Sequence, residues 1–168
     1  MDGRVVIFDF PCSTVKIIPK PQDMGAILGS NLAPIQAGSV RNGTQLTLPV
    51  TVNGVEGLAV LDTGSRETRI HSRFAAAAGI NPASSTFRDA DLTYGANSKG
   101  MPSRKGPVGI IRFAGVEVRN AEARVMDLSS YETLGIVDRS VMTLGAGSHA
   151  RLPTDLGPPG KAVLVPAV

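Results

Sequence analysis

The chain has 168 residues, 42% of them apolar, with 19 glycines, 12 prolines and no tryptophan. That composition fits one globular domain with a flanking segment, built from short strands and turns, with enough apolar material for a core without covalent staples. A single cysteine, Cys12, excludes an internal disulfide and a cysteine-based zinc site, and a net charge of only +3 with 4% aromatic residues excludes the basic, base-stacking surface of a nucleic-acid binder.

No stretch reaches the roughly 18 consecutive apolar residues of a membrane span, and the start of the chain lacks a signal-peptide apolar run. Residues 4–10 (RVVIFDF) and 15–18 (VKII) read as two strands split by Pro11-Cys12-Ser13. Residues 19–29, with Pro19, Pro21, Gly25 and Gly29, read as a linker, so 1–40 form an N-terminal strand-and-linker segment and 41–168 the main domain. Over 45–52 Leu46, Leu48, Val50 and Val52 alternate onto one face. Asn53-Gly54 is then a hairpin turn, and the return strand over 55–61 ends at Asp62. The alanines at 75–78 predict a helix with Ser72 as N-cap and Gly79 as stop. Residues 91–107 are polar and Gly-rich around Tyr94–Gly100, as a mobile hairpin would be. Strands are predicted over 108–113, 116–119 and 121–126, turning at Ala114-Gly115 and Asn120, and a short helix over 129–134. An apolar strand over 141–144 runs into Gly145-Ala146-Gly147, and a last strand covers 161–168. The sum is an all-β fold with one or two short helices.

The chemistry lies in Leu-Ala-Val-Leu-Asp-Thr-Gly-Ser at 58–65. An aspartate that closes a continuous apolar strand is out of place as a solvated turn residue. Burial there opposes its charged form and raises its pKa. Two such carboxylates side by side cannot both ionise; they share a proton, and the pair can activate a water with one member and protonate a carbonyl oxygen with the other. Only one such triplet exists, because Asp155-Leu156-Gly157 lacks the hydroxyl. No G-x-S-x-G accompanies any serine. His71 and His149, with no acidic or cysteine cluster in the sequence beside them, read as surface or capping residues, and Cys12 as buried filler.

In this order, LAVLDTGS at 58–65, the Gly-rich hairpin at 94–106 and VMTLG at 141–145 resemble the retropepsin-like aspartic proteases, most closely the bacterial members, over residues 46–147. The resemblance implies an acid-protease fold for 41–168 and an endopeptidase acting on peptide or protein substrates with no metal or organic cofactor, in the periplasm or cytoplasm of a bacterium. It implies that Asp62 is the catalytic carboxylate, that Thr63 bonds across to a partner loop, and that Gly64 lets the backbone approach substrate. Ser65 would hydrogen-bond near the outer oxygen of Asp62. Residues 94–104 would be the flap, with Tyr94, Gly95, Ala96 and Asn97 toward substrate, and Leu144-Gly145 would pack beneath the Asp loop. Thr143 interrupts a run that is usually apolar, and Ala146-Gly147 replace a bulky and an acidic residue. These departures support an alternative, a non-catalytic β lobe that binds peptide or holds a partner. With one Asp per chain, a dyad needs a two-fold homodimer or a missing first lobe, of which 1–40 would be a remnant. The apolar terminal segments 4–10 and 162–168, left unpaired, would be associating edges and so the candidate dimer interface.

Overall fold

The computed structural model describes residues 4–9, 14–19, 36–40, 45–62, 64–94, 100–113, 116–145 and 162–166. Thr63, the hairpin tip with Gly95, Ala96 and Asn97, and Cys12, Ala114-Gly115, Ala146-Gly147 and His149 lie outside the described residues. The strands are β1 (Arg4–Asp9), β2 (Thr14–Pro19), β3 (Gln36–Val40), β4 (Gln45–Val52), β5 (Val55–Asp62), β6 (Arg69–Ile70), β7 (Arg88–Tyr94), β8 (Gly100–Phe113), β9 (Val116–Val125), β10 (Val141–Gly145) and β11 (Ala162–Pro166). Two short helices, α1 (Ser72–Ala77) and α2 (Ser129–Thr133), complete the described elements.

The eleven described strands join one sheet in the order β2-β1-β11-β3-β4-β5-β10-β6-β9-β8-β7. An extra pairing of β4 with β8, Val50 opposite Phe113 and Val52 opposite Ile111, closes the six strands from β4 to β8 into a barrel. The β4–β5 hairpin turns at Asn53 (φ 50) and Gly54 (φ 85), both left-handed as this tight turn requires. Asn53 also fastens the turn: its side-chain amide donates to the carbonyls of Ala78 and Val108, and its oxygen accepts from the Ile110 N–H.

The alternation in β4 does what it predicts. Leu48, Val50 and Val52 point into the barrel beside Ala59, Ile70, Phe74, Ile111, Met142 and Leu144, all buried. Each large aliphatic chain buried there contributes about 1.5–3 kcal/mol. β10 is buried at every residue because it is covered on both faces. Met142 and Leu144 face the barrel, while Val141 joins Val60, Tyr131 and Ile136 in a second cluster under α2. Two covered faces give the near-continuous apolar run seen in the sequence. Among the described residues no helix is long and apolar enough to cross a membrane.

Several sequence expectations are corrected. The N-cap of α1 is His71, whose Nδ1 accepts from the Arg73 N–H at 3.1 Å, while Ser72 is the first helical residue. Residues 100–113 form one long strand, which pairs antiparallel with β7 in the expected hairpin and runs on without a break through the strand predicted at 108–113. Asn120 (φ 51) does not end a strand: it sits in a bulge within β9, where Arg119 and Asn120 oppose one residue of β8. Arg69-Ile70, given no element in the sequence reading, is the short strand β6. The terminal segments are not free edges: β1 pairs antiparallel with β11, Val6 opposite Leu164, and β11 pairs with β3. The chain's own two ends satisfy each other's backbone groups, which leaves β2 and β7 at the ends of the described sheet.

Candidate active site

β10 lies between the strand that enters the Asp62 loop and the strand that leaves it. It runs parallel to β5, in register from Val141 opposite Leu58 to Gly145 opposite Asp62. It runs antiparallel to β6, with Met142 opposite Ile70 and Thr143 opposite Arg69. The two motif ends found in the sequence are thereby set side by side. Gly145 sits directly under the loop: a Cβ there would lie 2.5 Å from the Glu67 carbonyl oxygen and 2.8 Å from that of Ser65. No side chain fits that approach. The Gly145 N–H also donates to Thr68 Oγ1 at 3.3 Å.

Asp62 closes β5. Its Oδ1 accepts the Gly64 N–H at 3.0 Å and its carbonyl accepts the Ser65 N–H at 3.1 Å, so the loop is a tight turn folded over the carboxylate. The carboxylate itself is exposed in the single chain. The apolar strand leads to it but does not enclose it, contrary to the burial its place in the sequence suggests. Ser65 is buried but does not reach Asp62. Its Oγ donates to the Glu67 carbonyl at 2.8 Å and accepts from Arg69 Nη1 at 2.5 Å, bracing the loop.

A cluster of charges anchors the same loop. Glu67 Oε1 accepts from Lys105 Nζ at 2.6 Å and its Oε2 pairs with Arg124 Nε. Burial alone would push the Glu67 carboxyl up, but the bonds from Lys105 and Arg124 with their positive charges outweigh it and hold the group below its usual range. Arg124 Nη1 in turn donates to the Asp91 carbonyl at 2.7 Å and reaches Ser103 Oγ at 3.3 Å. One arginine therefore ties the Asp62 loop to the base of the β7–β8 hairpin. Behind the loop the cluster walls a cavity of about 210 Å³.

In front of the loop lies an open cleft of about 640 Å³. Asp62, Gly64, Ser65 and Arg69 form one wall, Thr93, Tyr94 and Met101 of the hairpin a second, and Leu128, Ser129, Ser130, Tyr131, Thr133 and Leu134 around α2 a third. Tyr94 borders this cleft as expected of a flap residue, yet it is 66% exposed and, with Leu92, closes over Gly100. On the floor Tyr131 Oη and Thr143 Oγ1 share a buried hydrogen bond of 2.9 Å. Burial pushes the Tyr131 phenol up to about 12, opposed in part by that bond. Thr143, the polar interruption in the sequence, is the partner that makes a buried tyrosine tolerable.

His71 is a capping residue, as its lone position in the sequence suggested. Its Nε2 lies 3.3 Å from Asp127 Oδ1, and the same carboxylate accepts from the Ser72 N–H and Oγ. Sequence reasoning missed Glu67, Arg69, Lys105, Arg124 and Tyr131. Apart from the charge of Glu67 next to the motif, nothing in the pattern pointed to them: the partners of Glu67, Lys105, Arg124 and Tyr131 lie far along the chain, and Arg69 meets Ser65 only through the fold of the loop.

A closed barrel with a central strand in register beneath an Asp-Thr-Gly loop defines the acid-protease class of fold. A family model described as aspartyl protease matches residues 48–147, more than half of the chain, and the chain belongs to that family. Among solved structures, a retropepsin-like aspartic protease from Rickettsia conorii is similar at 19% identity, with a TM-score of 0.50 over 70% of this chain and 77% of that one. This likeness bears out the expected all-β, retropepsin-like fold. A comparison with curated proteins finds no match.

Proposed function

We propose that this protein is an aspartic endopeptidase whose catalytic pair is two copies of Asp62, one from each chain of a two-fold dimer. The observation that carries the reading is the register of Gly145 beneath Asp62, which presents one carboxylate at the mouth of a cleft suited to an extended peptide. Exposure of that carboxylate in the single chain supports a second lobe over it. The two carboxylates share one proton. The ionised member takes a proton from a water, whose oxygen attacks the scissile carbonyl, while the protonated member donates to the carbonyl oxygen. Collapse of the tetrahedral intermediate breaks the C–N bond, with a proton passing from the dyad to the leaving amine. Thr63 bonds to the partner's loop, Gly64 gives the substrate backbone close approach, and Leu144 and Gly145 support the loop. Tyr94, Gly95, Ala96 and Asn97 close over a substrate that lies as a strand. Ser65 acts through Glu67 and Arg69 rather than on Asp62. Residues 41–168 are the protease domain, preceded by an N-terminal strand-and-linker segment over 1–40.

The test is cleavage of a mixed peptide library, read by mass spectrometry, with wild type and Asp62→Asn. The variant should lose about 10²–10⁴-fold or more of kcat/KM with an unchanged circular dichroism spectrum, and a chelator should change nothing. Full activity in Asp62→Asn would refute the mechanism. A dimeric wild type that cleaves no peptide at any pH would instead favour a non-catalytic lobe that binds peptide or holds a partner.

A further inference from the structure

We infer that Arg69 is a specificity-determining residue of the cleft, and that it selects peptides carrying a carboxylate side chain close to the scissile bond. The inference rests on the proposed peptide-binding role of the cleft and goes beyond it by naming a substrate class. Arg69 lies on β6, opposite Thr143 of β10, and lines the cleft with Asp62. Among the described residues that line the cleft it is the only cation.

Its surroundings separate it from most described cations of the domain; Arg66 and Arg139 also form no ion pair among the described residues, but both are exposed to water. Arg73, Arg88, Arg104, Lys105, Arg112, Arg119 and Arg124 each pair with a carboxylate of the chain. Arg69 pairs with none among the described residues. Nη1 donates to the neutral Ser65 Oγ, and Nε is cut off from water with no acceptor. A guanidinium offers five donors in a planar fork matched to a carboxylate, and a positive charge partly stripped of water and left without a counter-ion favours an anion strongly. Asp62 is not that anion, since it forms no ion pair with Arg69 in the single chain and is engaged by the Gly64 N–H. Ser65 holds the guanidinium in place at the wall, so a substrate side chain meets a fixed donor group rather than a flexible one. The rest of the wall offers hydroxyls and apolar groups, from Ser129, Ser130, Thr133 and Leu134, and none of these can neutralise an acidic side chain.

The experiment uses eight-residue peptides with a central apolar pair, each with Glu or Gln at one of the positions flanking that pair. For the wild-type protein, kcat/KM should favour Glu over Gln by about tenfold or more at one position. Arg69→Gln should bring the ratio to about one, Arg69→Lys should retain part of it, and Arg69→Glu should favour a Lys-containing peptide at the same position. A structural role alone would lower all substrates together and leave the ratio unchanged, and that result would overturn the inference. So would a wild-type ratio near one at every position. The same peptides are also titrated, with a fluorescent label, against Asp62→Asn protein. A Glu-over-Gln preference in affinity that disappears in Asp62→Asn/Arg69→Gln supports the inference even where no cleavage occurs, and equal affinities overturn it. Absence of cleavage with preserved acidic selectivity would thus refute the proposed activity and leave Arg69's role standing.

Discussion

Thr143 and Tyr131 show how one residue pair decides what a sequence pattern cannot. Read alone, Thr143 is a flaw in an apolar strand. In the fold its hydroxyl bonds the phenol of Tyr131, a residue only 1% exposed. Either hydroxyl left alone in that place would be a buried, unsatisfied polar group at a cost of about 1–3 kcal/mol. Tyr131→Phe and Thr143→Val should each destabilise the protein by about that amount. The double variant should cost less than the sum, with a coupling of about 1 kcal/mol. Urea unfolding of the four proteins measures the cycle; strictly additive losses would show that the bond contributes nothing. The place of Asp62 at the end of β5 was legible because an apolar strand runs straight into it. The Tyr131–Thr143 pair was legible only as an irregularity, because the partner lies on a helix that no periodicity links to the strand. The resemblance gave the Ser65 hydroxyl a bond near Asp62, whereas in the fold it meets the Glu67 carbonyl and Arg69.

At the scale of elements, the strands with a clean period of two were readable, and the Asn53-Gly54 turn fixed their pairing. β6 was not readable, since two residues carry no period, yet it completes the frame that holds β10 under Asp62. The bulge at Asn120 was read as a turn because an Asn with positive φ serves both uses. What joins these elements around the site is Glu67, bound at once to Lys105 of β8 and Arg124 of β9. Its folded pKa lies below the ordinary 4.5. A carboxylate depressed in this way contributes stability that is fully present above its unfolded pKa and is lost as pH falls through the folded value. Asp127 acts in the same sense: burial pushes it up, but the Ser72 bonds and His71 outweigh it and hold it below its ordinary value. The thermal midpoint should therefore be level near neutrality and decline from about pH 5 downward. Glu67→Gln should lower the midpoint at pH 7 and flatten the decline. A Glu67→Gln protein with the full wild-type acid slope would show that the three-residue tie does not stabilise the loop.

For the whole molecule, the decisive quantity is the number of aspartates per active site. One chain supplies one motif, and in that chain Asp62 is exposed at the mouth of an open cleft. Because β1, β11 and β3 pair within the chain, the proposed dimer would have to form on the face around Asp62. β2 and β7 end the described sheet, where a sheet edge offers backbone pairing, and on β7 the exposed Leu92 and Tyr94 add apolar surface. A two-fold axis passing between two Asp62 loops would join these faces and cover the carboxylates. Activity should then fall faster than protein concentration on dilution, in step with loss of dimer seen by sedimentation. Mixing sharpens the test. When wild type and Asp62→Asn are combined in equal amounts and allowed to exchange, random pairing leaves only about half of the wild-type chains with a wild-type partner. Activity per wild-type chain should drop to about half, although no wild-type protein has been removed. Unchanged activity in the mixture, or cleavage by a protein that stays monomeric at every dilution, would show that the second carboxylate does not come from a second copy of Asp62.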